Sequence, residues 1–237
     1  MTPELLPLGP DGILMRLATR TSPEVSAGVR SLLARVRAAA PPGVTEIAGG
    51  LGSVLVRFDP GTVSREALSE VLRHLPEGEG EAAEARLWRI PAAFGGAAGP
   101  QLAEAAELAG RSPEEAIAEI AGTTLDILTI GFAPGQPYLG HLPEHWDIPR
   151  QTGLTPKVPA GAVVVALRQV IPFVNASTTG WRQVGLTAFR PFLRTREEPF
   201  ALRMGDRIRF EPASEAEIAR LEGAVDGLGG ARVEVLS

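Results

Sequence analysis

Between Gly131 and Trp181 the chain carries a density of glycine and proline that few folds can absorb. The run Gly131-Phe132-Ala133-Pro134-Gly135-Gln136-Pro137-Tyr138-Leu139-Gly140 is followed by Pro149-Arg150, Val158-Pro159-Ala160-Gly161 and Gly180-Trp181. Glycine supplies backbone angles that a Cβ forbids, whereas proline fixes φ near about −65° and removes a donor. Such a stretch argues against a regular helix or a central strand. It predicts ordered loops between short strands, with Phe132, Tyr138 and Trp181 as rigid anchors. The chain is only 5% aromatic and its single tyrosine lies here. The stretch therefore reads as a shaped surface or as a plug for the end of a barrel.

The flanking sequence supports a barrel. Candidate strands are Arg86 to Pro91, Asp126 to Phe132, Ala162 to Leu167, Ile171 to Asn175, Arg182 to Leu186, Phe200 to Leu202 and Asp206 to Phe210. Many short strands with Gly/Pro turns indicate an antiparallel barrel or sandwich. Two short helices fit Gln101 to Gly122, the second opened by a capping box at Ser112. Ser214-Glu215-Ala216-Glu217 opens another, with Ile218 and Leu221 as its apolar side. The tail with Gly227, Gly229 and Gly230 reads as loosely held up to a final Val233-Glu234-Val235-Leu236.

The first eighty residues are organised differently. A hairpin turns at Gly9-Pro10-Asp11-Gly12, and Ser22-Pro23 starts a helix with Val25, Val29, Leu32, Leu33 and Val36 on one face. Strands over Val44 to Ile47 and Ser53 to Phe58 follow, then a helix capped by Ser64 with Leu68, Val71, Leu72 and Leu75 inward. This β-β-α-β-β-α order predicts a small α+β domain. The acidic segment PEGEGEAAE, 76–84, lacks apolar periodicity and serves as the linker. The expected organisation is an N-terminal α+β domain over 1–80 and a barrel domain over 81–237.

Composition excludes several functions. There is no cysteine, hence no disulfide, thiolate metal site or cysteine nucleophile. The formal charge of −5 has no basic cluster within it, which argues against nucleic acid as a partner. No apolar run approaches the roughly 18 residues of a membrane helix, and the first residues do not resemble a signal peptide. A cytoplasmic protein is the expectation.

Catalytic candidates are few. His141 and His145 are four apart, but Pro143 interrupts them and no third ligand stands out, so no metal site is evident. No Gly-x-Ser-x-Gly elbow is present. The Gly-rich approach Phe94 to Pro100 could cradle a phosphate ahead of a helix, yet it lacks the Lys-Ser/Thr ending of a P-loop. Within the central stretch Arg150 and Lys157 are the notable cations. An arginine beside proline on a rigid loop suits a carboxylate or phosphate. It equally suits tethering the loop through backbone carbonyls. These residues indicate a binding cleft with an anion contact, not a reaction.

The motifs themselves carry a resemblance. Phe94-Gly95-Gly96, Gly99-Pro100, Gly131-Phe132-Ala133-Pro134-Gly135, Tyr138-Leu139-Gly140, Pro149-Arg150, Val158-Pro159-Ala160-Gly161, Gln169, Gly180-Trp181, Val184-Gly185-Leu186-Thr187 and Gly205-Asp206 resemble the family of B-type 5-oxoprolinase subunits. That family is also called allophanate hydrolase subunit 1, and it includes an inhibitor of a sporulation histidine kinase. The resemblance implies a small α+β domain followed by a cyclophilin-like barrel. It also implies one subunit of an ATP-dependent amide hydrolase that opens 5-oxoproline to glutamate or acts on a related amide. ATP would be bound by the complex. The implied partners are a companion barrel, the C-type subunit or allophanate hydrolase subunit 2, and a third subunit. Gln136, Tyr138, Arg150, Gln169, Gly180 and Trp181 would contact a small anionic or amide substrate or nucleotide; no catalytic residue is assigned.

The departures from the family pattern bear on its chemistry. Gln136 stands for a Phe, Gln101 for an Asp, Ile120 for a His, and Leu154-Thr155 for a second Pro-Arg pair. Three of these changes, at Gln101, Ile120 and Thr155, remove an ionisable group of the kind proton transfer needs. The alternative expectation is a non-catalytic regulator that inhibits a histidine kinase by protein–protein binding.

Overall fold

The computed structural model describes residues 1–76 and 85–236. The chain forms two compact units, Met1–Ala83 and Glu84–Ser237. All but the first residue of the acidic segment read as a linker lies outside the described residues.

The first unit follows the β-β-α-β-β-α order. Its elements are β1 (Glu4–Leu8), β2 (Gly12–Arg16), α1 (Pro23–Ala39), β3 (Val44–Gly49), β4 (Ser53–Phe58) and α2 (Arg65–Arg73). The strands form one antiparallel sheet ordered β1-β2-β4-β3. The Ser22 hydroxyl accepts the Val25 N–H at 3.2 Å to start α1, and Ala40 ends it with a left-handed φ of 40° before Pro41-Pro42. Val25, Val29, Leu32, Leu33 and Val36 are buried as the 3.6-residue period requires. In α2, Leu68 and Leu72 are buried, and Leu75 beyond its end is too. Val71, expected to join them, is 47% exposed. It falls at the rim of the apolar stripe of a short helix.

The second unit contains β5 (Arg86–Phe94), α3 (Leu102–Leu108), α4 (Pro113–Gly122), β6 (Leu125–Ile130), β7 (Pro137–Gly140), β8 (Thr155–Val158) and β9 (Ala162–Ala166). It continues with β10 (Gln169–Pro172), β11 (Ser177–Thr179), β12 (Arg182–Leu186), β13 (Arg207–Pro212), α5 (Glu215–Leu221) and β14 (Arg232–Val235). Seven strands close into a barrel in the order β12-β9-β10-β7-β6-β13-β5, with β5 pairing back onto β12. Every pairing is antiparallel except β5 with β13. The fold is α+β.

Two cores share the wall of this barrel. All five residues of β9 are buried, and they alternate between the cores. Val163 and Val165 join Trp88, Ile90, Ile127, Leu139 and Phe210 in one cluster, which α3 and α4 complete through Leu102, Ala105, Ala116 and Ile120. Ala162, Val164 and Ala166 face the other way, packing with Val158, Ile171, Phe173 and Trp181. The small ladder β8–β11 thus belongs to a second layer on one side of the wall.

Three expectations need correction. The Gly/Pro-rich run does hold a central strand, β7, between β6 and β10. Pro137 is its first residue, where a missing N–H is tolerated. Phe200 to Leu202 forms only an isolated bridge to Phe192, since Pro191 and Pro199 flank the pairing and carry no donor. The C-terminal glycine segment is held firmly: Arg190 donates its N–H to the Gly227 carbonyl at 2.8 Å, Leu228 and Ala231 pack on the barrel core, and β14 pairs with β5.

Candidate functional site

The Pro149-Arg150 motif is delivered to its place by a fixed segment. The turn Glu144–Trp146 is tied to α4 by the Glu119 carboxylate, which accepts from Arg111 Nε (2.7 Å), His145 Nε2 (2.6 Å) and Trp146 Nε1 (2.8 Å). Burial alone would raise the Glu119 pKa, but these three donors outweigh it and hold the carboxyl down to about 2. Arg111 also reaches His145 Nδ1 at 3.4 Å. Trp146 and Ile148 are buried, and their carbonyls accept from Arg168 and Leu167. His145 is therefore a structural partner of Glu119. Among the described residues no group of three or more His, Asp or Glu could hold a metal ion.

Beyond this anchor the chain meets the end of β11. Gln151 N–H donates to the Gly180 carbonyl at 2.7 Å, and the Pro149 carbonyl accepts from Arg182 NH1 at 2.7 Å. A cleft of about 440 Å³ opens beside this junction, lined by Glu104, Gln151 to Pro156 and Arg182. Arg182 is buried and also donates through Nε to Glu104 at 2.8 Å, so the two charges offset each other within the lining.

A chain of amides runs behind the lining. Gln101 accepts the Gln183 backbone N–H at 3.0 Å and donates to Gln151 Oε1 at 2.8 Å. Gln151 Nε2 in turn reaches the Trp181 carbonyl at 3.0 Å and Thr155 Oγ1 at 3.3 Å. Two of the three residues read from the resemblance as standing for an ionisable group, Gln101 and Thr155, thus lie in one network. The third, Ile120, is fully buried in the barrel core.

The residues singled out from sequence separate into two groups. Tyr138 and Trp181 meet edge to face, ring centroids 6.5 Å apart, and the exposed Arg150 guanidinium lies 5.2 Å from the Trp181 ring centre. Arg150 makes no hydrogen bond or ion pair among the described residues, so it is stacked rather than tethered. Gly180 sits against Gln151, Leu154 and the Arg150 stem. By contrast Gln136 is buried and accepts the Val174 N–H, while Gln169 is buried within β10. None of these six residues lines the cleft itself; Arg150, Gly180 and Trp181 are chain neighbours of its lining residues Gln151 and Arg182. Phe132, expected as an anchor, is 79% exposed at a φ of 70°. Gln151, Glu104 and Arg182 were not singled out, though Gln151 follows Pro149-Arg150 and Arg182 follows Gly180-Trp181 directly.

The glycines of two motifs serve packing. Gly161 has φ 85°, and a Cβ there would lie 2.1 Å from the Thr187 carbonyl oxygen. Any Cβ at Gly99 would lie 2.0 Å from the Val184 carbonyl oxygen, and the neighbouring Ala98 N–H donates to the Glu215 carboxylate at 3.0 Å. The approach to α3 is filled by β12 and α5, so it does not fit a nucleotide phosphate.

A family of carboxyltransferase domains matches most of this chain, across both units. The chain belongs to that family, described as carboxyltransferase domain, subdomain C and D, whose model matches residues 3–202. It is 34% identical over 175 residues to the B-type 5-oxoprolinase subunit of Escherichia coli O157:H7, covering 73% of this chain and 80% of that one. It is 28% identical over 230 residues to the protein of the same name from Bacillus subtilis strain 168, covering 89% and 92%. The crystal structure of TTHA0988 superposes with a TM-score of 0.74 at 32% identity, covering 86% of this chain. This chain spans 40% of the length of that solved chain.

Proposed function

We propose that this chain is the B-type subunit of an ATP-dependent amide hydrolase that opens 5-oxoproline to glutamate, with the cleft beside Arg150 and Trp181 as its substrate contact. The observation that carries this is the cleft itself: a lining held by the Glu104–Arg182 pair and by Gln151 with Thr155, backed by an amide network, with an arginine stacked on Trp181 next to it in sequence. Support comes also from the two relatives named as B-type subunits of 5-oxoprolinase, one of them matched over 92% of its length.

Within that reading Arg150 attracts the substrate carboxylate from its stacked position on Trp181, where an aromatic face stabilises a cation without consuming its donors. The Glu104–Arg182 pair fixes one wall, and Gln151 with Thr155 fixes another. The glycine-rich approach to α3 is filled, so ATP is handled by the assembled complex. The partners are a companion barrel subunit and a third subunit.

The replacement of ionisable residues by Gln101, Ile120 and Thr155 favours one competing role, a non-catalytic regulator that binds a histidine kinase. Mixing the chain with its companion subunits and following 5-oxoproline-dependent ATP hydrolysis separates the two. Turnover that requires this chain is the expected result. Failure to assemble at all would favour the regulator.

A further inference from the structure

The amide network behind the cleft has a direction, and the direction determines what Thr155 can do. At one end the Gln183 backbone N–H can only donate, which fixes the Gln101 oxygen toward it and the Gln101 amide nitrogen toward Gln151. At the other end the Trp181 carbonyl can only accept, which fixes the Gln151 nitrogen toward it and toward Thr155. Flipping either side-chain amide would set oxygen against oxygen. Both protons of Gln151 Nε2 are then committed, one to Trp181 and one to Thr155 Oγ1. The Thr155 hydroxyl accepts within the network and makes no further side-chain hydrogen bond among the described residues. It lines the cleft, so its own proton and its second lone pair are left for a ligand, and the cations Arg150 and Lys157 nearby in sequence tilt that choice towards an oxygen that accepts the proton.

We infer that Thr155 is the positioned hydrogen-bond donor of this cleft, and that the group it selects is an acceptor-only oxygen, a carboxylate or a lactam carbonyl, rather than an amine. This deepens the proposed function, on which it rests for the identity of the ligand. The charges around the cleft agree with it. Glu104 is held by Arg182, leaving Arg150, stacked on Trp181, and the exposed Lys157 as the cations nearby in sequence. Gln101 and Gln151 are positioning residues that act through Thr155.

The test uses the full chain in ¹⁵N–¹H spectra titrated with sodium acetate, 2-pyrrolidinone and methylammonium chloride at matched ionic strength. Saturable shifts of the 151–155 amides are expected with acetate, with 2-pyrrolidinone or with both, which identifies the oxygen, and none with methylammonium. Thr155→Val should weaken the responsive probe about tenfold, the loss of one hydrogen bond, while Thr155→Ser stays within about threefold of the parent. Gln101→Glu, which removes the donor to Gln151, should weaken it as Thr155→Val does with the melting temperature kept. Saturable methylammonium binding at these amides, no response to either oxygen probe, or unchanged affinity in Thr155→Val overturns the inference. Titration with 5-oxoproline is read separately. If the oxygen probes behave as stated and 5-oxoproline does not bind, Thr155 keeps its role and the proposed substrate is wrong.

Discussion

Two polar networks in the barrel unit have opposite architectures. The Asp206 carboxylate, 1% exposed, accepts from Arg86 Nε and NH2 at 2.9 and 2.6 Å, from Trp88 Nε1 at 3.2 Å and from the Arg203 backbone N–H at 3.0 Å. Its acceptor capacity is filled from the interior, and it joins β5 to the turn before β13. The Gln101–Gln151–Thr155 chain is satisfied at its backbone ends but finishes in a hydroxyl at the edge of a cleft. A closed network spends all its donors and acceptors on the fold. An open one is held rigid by the fold and keeps a donor for something else. Loss of a member of the first should therefore cost stability, and loss of a member of the second should cost binding.

The sharpest way to break the comparison is Asp206→Ala. It strands the Arg86 guanidinium and the Trp88 indole N–H, and should lower unfolding free energy by about 4 kcal/mol in denaturant titration. Trp181→Ala comes next. Trp181 is 4% exposed in the second core, so about 3 kcal/mol should be lost, together with the platform under Arg150. Normal stability in that variant would mean that the second layer contributes little.

Glu119 sharpens the comparison through pH. Its folded carboxyl titrates at about 2, below an ordinary 4.5. A depressed pKa contributes stability that is complete above the unfolded value and is lost as pH falls through the folded one. Glu119→Gln should thus cost up to about 3 kcal/mol near neutrality. The difference in melting temperature from the parent should shrink as pH falls from about 5 towards about 2. A difference that stays constant over that window would remove Glu119 as the anchor of the Pro149-Arg150 segment.

The smallest stability effect belongs to Arg150→Ala. An exposed cation on an aromatic face contributes under about 1 kcal/mol, so melting should hardly move while binding of an anionic ligand weakens. A large drop in melting temperature would make Arg150 a structural residue after all.

Much of the first unit was legible because its signals are local. Ser22 and Ser64 cap the helices they were expected to cap, and the five apolar residues at helical spacing in α1 are all buried, joined only by Ser26. The closed barrel was legible only in outline. Strand β7 begins on a proline inside a glycine-rich run, and its pairing with β6 and β10 rests on contacts that no local pattern encodes. The parallel pairing of β13 with β5, residues 120 apart at Arg207 and Leu87, is likewise a property of closure. At the cleft, the departures Gln101 and Thr155 could be noticed as isolated replacements. That they share a partner in Gln151 became visible only when α3 and β8 were brought together around β12.

The most direct test is a crystal structure of the chain, assembled with its companion subunits, in the presence of 5-oxoproline. The account predicts ligand density in the cleft formed by Glu104, Gln151 to Pro156 and Arg182, with a carboxylate or lactam oxygen within hydrogen-bond distance of Thr155 Oγ1. Ordered 5-oxoproline elsewhere in the barrel, with Thr155 untouched, would contradict it.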